Sequence, residues 1–179
     1  YTPHSPQRAF FCRFGESVHD SRGNHVKQEI RILLVEDVPT DVVMINHALR
    51  QGRLPFRSTC VDTKEAFLRE LDHNLPDVIL SDLSLPSLDG YSALALAQQK
   101  CPDVPFIFVT RTAGEQVAIE IFESGATDYV LKNDLSRLVP SVHRALREAA
   151  ERSERRRAEQ RLCQSQEQLR ALSIHLRHV

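Results

Sequence analysis

Short apolar runs alternate with amphipathic segments from residue 30 onward. The runs, typical of strands in a buried sheet, lie at Ile30–Glu36, Phe56–Val61, Asp77–Ser81, Val104–Val109 and Thr127–Leu131. Between and after them, apolar residues recur with helical spacing in Pro39–Gly52, Thr63–Leu71, Asp89–Lys100, Gly114–Ser124 and the longer segment from Asp134 to Ala150. Strands that alternate with helices predict βαβ units, and therefore an α/β fold with a parallel sheet and helices on both faces.

Polar side chains follow the predicted strands at the ends where the chain leaves the sheet. Glu36 and Asp37 follow the first strand, Asp82 the third, Thr110 the fourth and Lys132 the fifth. The carboxyl ends of parallel strands border one crevice, so we expect these side chains to converge there. Any one of them alone would be an ordinary strand-end residue, but the set indicates a binding site.

The residue types in this set favour phosphate chemistry. Two carboxylates about 4 Å apart repel each other by roughly 4 kcal/mol at an effective dielectric near 20, so the cluster requires a cation, a proton or a lysine. Oxygen ligands suit Mg²⁺, which often shares a phosphate oxygen. Lys132 can place its charge on a phosphoryl oxygen, and Thr110 can donate a hydrogen bond to another. One aspartate of such a site can act as a nucleophile toward phosphorus.

Four motifs in the region from Arg31 to about Ala150 resemble those of a known family. They are "VEDVPTD", "DLSLPSLDG" from Asp82, "FVTRTAGE" around Thr110 and "SGATDYVLK" ending at Lys132. In order and spacing they are similar to the receiver domain of two-component response regulators. The resemblance implies a flavodoxin-like, doubly wound five-stranded parallel sheet in the order 2-1-3-4-5.

The same resemblance implies a role for each position of the site. Asp82 would accept the phosphate, with Mg²⁺ as the cofactor. Thr110 would be the switch hydroxyl, Lys132 the lysine that contacts the phosphoryl group, and Tyr129 the aromatic switch residue. The implied metal ligands are Glu36, Asp37, Asp82 and the backbone carbonyl of Ser84.

Pro86 and Gly90 match the turn that shapes the loop after Asp82, but the chain departs from the family pattern at two other positions. Asn133 stands where receivers usually have proline, so we expect a trans Lys132–Asn133 bond. Arg111 stands where the residue after the switch hydroxyl is usually small. Its side chain would either shield the phosphorylation pocket or point to solvent, and the sequence leaves both open.

The segments on either side of the predicted domain, which spans 30–150, have different compositions. Residues 1–29 mix polar residues and proline, which predicts a disordered leader. Residues 151–179 contain no glycine or proline, so we expect one long helix to run out of the domain as a linker. Its interleaved charges favour a solvated helix over a nucleic-acid contact. A heptad seam then predicts a coiled-coil homodimer through this helix, with the positions Leu162, Ser165, Leu169, Leu172, Leu176 and Val179.

The tail also resembles the signalling-helix linkers of hybrid sensor histidine kinases. The stretch "EQLRALSIHLRHV" is similar to the segment before a kinase phosphoacceptor histidine. His175 and His178 are not followed by an acid, so we interpret them as linker histidines. The resemblance implies the N-terminal receiver of a hybrid kinase, with a cognate histidine kinase or a phosphotransfer protein as its partner.

Composition argues against several classes of protein: nucleic-acid-binding, membrane-spanning and cysteine-based metal or redox proteins. The 179 residues carry a net charge of -1, which provides no general attraction to nucleic acid or to an anionic membrane. No apolar run approaches the roughly 18 to 20 residues of a membrane span. The 4 cysteines lack metal or redox spacing, as expected of reduced thiols in a cytoplasmic protein.

The leading function is a phosphorylatable receiver switch that signals through the C-terminal helix to a histidine-kinase or other output module. It would catalyse at most its own phosphorylation and dephosphorylation, since we expect no separate enzyme domain. A dehalogenase-like Mg²⁺-dependent phosphatase would need a second aspartate in Asp82-Leu83-Ser84. A DNA-binding regulator would need a second compact domain, and a NAD-binding protein a G-x-G-x-x-G motif after the first strand. A docking receiver that works without phosphorylation is the remaining alternative, which the complete acidic set disfavours.

Overall fold

The computed structural model describes the backbone of residues 29–112 and 114–176, and the side-chain surroundings as far as residue 170. The strands are β1 (Ile30–Val35), β2 (Phe56–Val61), β3 (Val78–Ser81), β4 (Phe106–Thr110) and β5 (Asp128–Leu131). The α-helices are α1 (Pro39–Gln51), α2 (Lys64–His73), α3 (Gly90–Lys100), α4 (Glu115–Glu123) and α5 (Leu138–Leu176). The predicted disordered leader lies outside the described residues, apart from Glu29.

All five strands are parallel and form one sheet in the order β2-β1-β3-β4-β5. This confirms the predicted doubly wound α/β fold and its strand order. Val35, at the end of β1, pairs with Val61 on one side and Ser81 on the other. Thr110 pairs with Leu131. The residues that follow these strand ends therefore leave the sheet along a single edge, which we call the carboxyl edge.

Alternate residues of the buried strands supply two separate cores, one on each face of the sheet. One core packs under α2, α3 and α4 and includes Leu33, Val35, Phe67, Ile79, Leu94, Phe108 and Ile121. The other packs under α1 and α5 and includes Ile32, Leu34, Ile45, Leu80, Ile107, Val109 and Val142. Burial on both faces explains why β1, β3 and β4 read as continuous apolar runs.

The helix and strand boundaries follow from local chemistry. The Thr63 hydroxyl accepts a hydrogen bond from the Ala66 amide at 3.3 Å and caps α2. β4 begins at Phe106, two residues later than predicted, and extends one residue further to Thr110. Proline at 105 has no amide hydrogen to donate to a strand ladder, which fits its position just before β4.

The predicted long C-terminal helix is present as α5, which has 39 residues. A short 3₁₀ turn, Leu135–Arg137, precedes it, and Asp134 stands directly before this turn. The contact of α5 with the domain continues beyond Ala149, since Arg156 pairs with Asp103 at 2.7 Å. The coiled coil and the domain boundary at residue 150 stay predictions.

Asp128, the first residue of β5, connects α5 to the sheet through polar contacts. Its Oδ2 atom accepts hydrogen bonds from the Ser141 hydroxyl and the Arg144 guanidinium, both on α5. Asp128 and Ser141 are buried, so this polar contact fixes the helix against β5. Within the described residues, no helix has the length and apolar character needed to cross a bilayer.

Candidate functional site

Lys132 lies at the centre of an acidic cluster on the carboxyl edge. Its Nζ atom donates hydrogen bonds to Glu36 Oε2 at 2.6 Å, Asp82 Oδ2 at 2.6 Å and Asp41 Oδ2 at 2.7 Å. Glu36 follows β1, Asp82 follows β3, Lys132 follows β5, and Asp41 lies in the first turn of α1. The structure thus brings together three of the residues predicted from the strand ends, and it adds Asp41.

Asp41 is the residue of the cluster that the sequence analysis missed. It is fully buried, and it continues the buried face of α1 that Ile45 and Leu49 form at four-residue intervals. That spacing was visible in the sequence: an acid on the apolar stripe, in the first turn of the helix that begins where β1 ends. A buried carboxylate needs a partner, which was the available signal that Asp41 belongs to the site.

Asp37 and Ser84 occupy more open positions than the cluster. Asp37 is exposed, whereas its neighbour Glu36 is 2% exposed. Adjacent residues of an extended chain point in opposite directions, which fits the separation of the two acids after β1. Ser84 is also exposed, in the loop after Asp82. Both stay predicted metal ligands.

Asp82 is the most accessible carboxylate of the cluster. Its side chain is 13% exposed, against 0% for Glu36 and 1% for Asp41. Its Oδ1 atom accepts a hydrogen bond from the Leu83 amide at 2.6 Å, while Oδ2 faces Lys132. The carboxylate is therefore oriented by hydrogen bonds to both of its oxygens and is still reachable from solvent.

Thr110 ends β4, and Tyr129 lies in β5, the neighbouring strand. Thr110 is 1% exposed, and its hydroxyl oxygen accepts a hydrogen bond from the Thr112 amide at 3.1 Å. Its backbone carbonyl accepts one from the Lys132 amide at 2.8 Å. Tyr129 is half-buried and packs edge-to-face against Phe122 of α4, with ring centroids 6.0 Å apart. Their roles as switch residues stay predictions.

Arg111 combines the two orientations that the sequence left open. Its side chain is 67% exposed, yet its Nη2 atom donates a hydrogen bond to Asp41 Oδ1. The side chain therefore lies largely in solvent, and its guanidinium contacts Asp41 at the edge of the cluster. The Lys132–Asn133 bond is trans, as expected.

The acids of the cluster differ in their electrostatic surroundings. Burial raises the pKa of Glu36, and it outweighs the hydrogen bonds from Lys132 and the Val38 amide. Burial also disfavours the charged form of Asp41, but the hydrogen bonds from Lys132 and Arg111 outweigh it and lower the pKa. The pKa of Lys132 is raised, because the hydrogen bonds to its three carboxylates outweigh the effect of burial. At neutral pH the cluster therefore holds Lys132 as a cation.

The chemistry of the cluster fits a hard divalent cation. Carboxylate oxygens of Glu36, Asp41 and Asp82 lie within 4.8 Å of one another. Mg²⁺ prefers oxygen ligands and keeps several waters, and the partial exposure of Asp82 leaves room for them. Lys132 already contacts all three acids, so a metal held by Glu36 and Asp82 would share their oxygens with the ammonium group.

Comparisons with known proteins agree with this geometry. The family model described as the response regulator receiver domain matches residues 32–143. The regulatory protein AtoC of Escherichia coli is 34% identical over 137 residues, which cover 75% of this chain and 29% of AtoC. The luminescence regulatory protein LuxO of Vibrio campbellii is 36% identical over 90 residues, 50% of this chain and 20% of LuxO. The chain thus matches less than a third of the length of these relatives.

A solved structure shows the same fold with a metal. The receiver domain of a sensor histidine kinase from Pseudomonas aeruginosa, with a magnesium ion coordinated in its active-site cleft, aligns with a TM-score of 0.58 and 30% identity. The alignment covers 66% of this chain and 98% of that domain. With the family model covering residues 32–143, the chain belongs to the receiver domain family of two-component response regulators.

Proposed function

We propose that the protein is a phosphoacceptor switch that is phosphorylated on Asp82 in the presence of Mg²⁺. The observation that carries the proposal is the contact between Lys132 Nζ and Asp82 Oδ2 at 2.6 Å, on the one carboxylate of the cluster with appreciable exposure. Glu36 and Asp41 are too deeply buried to meet a phosphodonor. The Asp82 carboxylate can be reached by a phosphodonor and also lies beside the Lys132 cation.

The proposed reaction is an in-line transfer of a phosphoryl group. An oxygen of Asp82 attacks phosphorus, and the bond from phosphorus to the donor breaks, with its electron pair leaving on the donor's nitrogen or oxygen. The product is an acyl phosphate, a known covalent intermediate of carboxylate nucleophiles. The Leu83 amide holds Oδ1 of Asp82 at 2.6 Å and so fixes the orientation of the carboxylate.

Charge stabilisation is the main demand of such a transfer, because the phosphoryl oxygens carry the developing charge. A phosphoryl group on Asp82 would lie at the carboxyl edge, beside Lys132. The Lys132 ammonium group would therefore need only a small movement to pass from the Asp82 carboxylate to a phosphoryl oxygen. Thr110 can donate its hydroxyl hydrogen to another phosphoryl oxygen. Glu36, Asp37, Asp82 and the carbonyl of Ser84 are the proposed holders of Mg²⁺, which when bound supplies countercharge to the phosphate.

The proposed phosphodonor is a histidine kinase or a histidine-containing phosphotransfer protein. The proposed output leaves through α5, which packs on the sheet beside β5 and continues beyond the domain. Its exposed Leu162 and Leu169 support a homodimer through the C-terminal helix. The parent protein would then be a hybrid sensor histidine kinase or another multidomain regulator.

Acetyl phosphate, a small acyl phosphate donor, tests the site directly. The protein should gain the mass of one phosphate in the presence of Mg²⁺, measured on the intact chain, and Asp82→Asn should gain none. Asp62→Asn is the matched control, since Asp62 is an exposed acid just after the end of β2 on the same edge. A phosphate adduct that persists in Asp82→Asn would refute the assignment.

A further inference from the structure

Asp41 is held by two cations that approach from different sides. Lys132 donates to its Oδ2 atom at 2.7 Å, and Arg111 donates to its Oδ1 atom. The Asp41 side chain is 1% exposed, whereas that of Arg111 is 67% exposed. Arg111 therefore contacts one oxygen of a buried carboxylate, and the other oxygen of that carboxylate accepts a hydrogen bond from Lys132.

The path of the Arg111 side chain brings it close to the phosphoacceptor. Arg111 follows Thr110 at the end of β4, and Asp41 belongs to α1, the helix that follows β1. In the sheet, β3 lies between β1 and β4, and Asp82 follows β3. The Arg111 side chain thus runs from the end of β4 to Asp41 of α1, and it passes Asp82 on the side of α1.

The charges of the cluster explain why a second cation matters. Glu36, Asp41 and Asp82 together provide three carboxylates, and Lys132 contacts all of them. If Lys132 moved to a phosphoryl oxygen, Asp41 would be left as a buried carboxylate without a countercharge, a costly state. Arg111 supplies that countercharge from outside, so that Asp41 does not depend on Lys132.

We propose that Arg111 is a positioning residue that keeps Asp41 out of the coordination of the metal and frees Lys132 to serve the phosphoryl group on Asp82. This inference rests on the proposed function. It assigns Arg111 no contact with phosphate or metal, because its effect passes through Asp41. It also gives a role to an arginine at a position where the family usually has a small residue.

Removal of Arg111 should change two properties in opposite directions. Without the guanidinium, Asp41 gains a free oxygen and the cluster loses one positive charge, so Mg²⁺ should bind more tightly. Lys132 then becomes the single cation for Asp41 and is retained there, so phosphorylation at saturating Mg²⁺ should become slower. A purely structural role would lower both properties or leave both unchanged.

The first experiment is a calorimetric titration of the intact protein with Mg²⁺ and no phosphodonor. Arg111→Ala should bind Mg²⁺ about fivefold more tightly than the wild type, the change expected when one nearby charge is removed at a dielectric close to that of water. Arg111→Lys keeps the charge and should lie between the two. In an Asp41→Asn background, Arg111→Ala should have little further effect, because the carboxylate through which it acts is gone.

The second experiment measures the rate of phosphorylation by acetyl phosphate at saturating Mg²⁺, by intact mass. Arg111→Ala should react about fivefold more slowly, and Arg111→Lys should recover part of the rate. Arg31→Ala is the matched control, because Arg31 is a partly exposed arginine paired with Asp77 at the opposite end of the strands. It should change neither the affinity nor the rate.

The inference is overturned if Arg111→Ala binds Mg²⁺ equally or more weakly, or if it is phosphorylated at the wild-type rate or faster. Equal effects of Arg111→Ala in the wild-type protein and in the Asp41→Asn background would also overturn it. Should Arg111→Ala fail to fold, Arg111→Lys and Arg111→Gln carry the same comparison. A wild-type protein that binds Mg²⁺ but takes no phosphate would refute the proposed function instead, while the titration would still decide whether Arg111 restrains Asp41.

Discussion

Gly90 lies against the backbone of Asp82 so closely that a Cβ atom at position 90 would come within 2.5 Å of the Asp82 carbonyl oxygen. The same atom would meet the Leu83 Cα at 2.9 Å. The Gly90 amide also donates to the Leu83 carbonyl at 3.1 Å. The first residue of α3 is therefore in direct contact with the loop that carries Asp82, the proposed phosphoacceptor.

Gly90→Ala should lower the free energy of unfolding by about 1 to 3 kcal/mol, because backbone must move to admit the methyl group. It should also slow phosphorylation of Asp82, since the movement falls on its loop. Urea unfolding and acetyl phosphate labelling measure the two effects. Gly52→Ala is the control, because its Cβ would meet Val139 at 2.5 Å, far along the chain from Asp82. If both variants slowed labelling equally, the Gly90 contact would have no specific role.

Lys132→Ala should destabilise the metal-free protein by about 3 to 5 kcal/mol, because it leaves the buried Glu36 carboxylate without the cation that it contacts. Mg²⁺ should restore much of this loss, since it can replace the lost positive charge. Lys100→Ala is the matched control: Lys100 pairs with Asp72 on the surface, where ion pairs contribute about 0 to 1 kcal/mol. Thermal melts with and without Mg²⁺ give the comparison. An equal loss with both lysine variants would argue against the central position of Lys132.

Mg²⁺ should raise the melting temperature of the wild type, because binding to the folded state stabilises it by mass action. Asp37→Asn tests the predicted ligand that lies outside the buried cluster, and it should reduce this rise if Asp37 helps to hold the metal. Asp62→Asn is again the control. A Mg²⁺-dependent rise that is the same in Asp37→Asn and the wild type would remove Asp37 from the proposed ligands.

Acid stability should depend on Asp41. Hydrogen bonds from Lys132 and Arg111 outweigh burial and hold its pKa below the ordinary value of 3.8. A group whose pKa is lower in the folded state contributes stability above its unfolded pKa, and this contribution is lost as the pH falls through the folded value. Between about pH 5 and about pH 2, the wild type should therefore lose stability more steeply than Asp41→Asn. Urea unfolding without Mg²⁺, repeated across this pH range, measures the free energy of unfolding of both proteins. If the two free energies fell in parallel with pH, the prediction would be contradicted.

The C-terminal helix should join two copies of the chain. Leu162 is 61% exposed and Leu169 is 63% exposed on the single chain, and burial against a partner contributes roughly 1.5 to 3 kcal/mol per large apolar side chain. Light scattering should report a dimer at tens of micromolar for the wild type and a monomer for Leu162→Glu/Leu169→Glu. Gln160→Glu/Gln164→Glu adds the same charge off the seam and should stay dimeric. A monomeric wild type would refute the dimer.

Most of the fold could be predicted from the sequence, because the strands of a buried parallel sheet produce short apolar runs that are visible locally along the chain. Apolar runs predicted all five strands, and polar residues at their ends predicted the carboxyl edge as the site. β4 begins later than predicted because Pro105 has no amide hydrogen to donate to the strand ladder. The continuity of α5 followed from the absence of glycine and proline after Pro140.

The contacts within the site were harder to predict from sequence. Glu36, Asp82 and Lys132 meet because strand order brings them together, but Asp41 joins them through the rotation of α1, which strand ends do not reveal. The position of Arg111 depends on the same rotation, since Asp41 is the partner that draws its guanidinium inward. Such contacts require the angle at which a helix packs on the sheet.

The continuity of α5 has a mechanical consequence. Its first half is fixed in the core and held by Asp128 and Asp103, while its second half projects beyond the domain. At 1.5 Å per residue, the part from Arg156 to Leu176 is about 30 Å long. A tilt of about 5° at Arg156 would move the far end by about 2.6 Å, a shift comparable to a side chain's width. The helix can therefore work as a lever that converts a small rearrangement beside β5 into a large displacement at its tip.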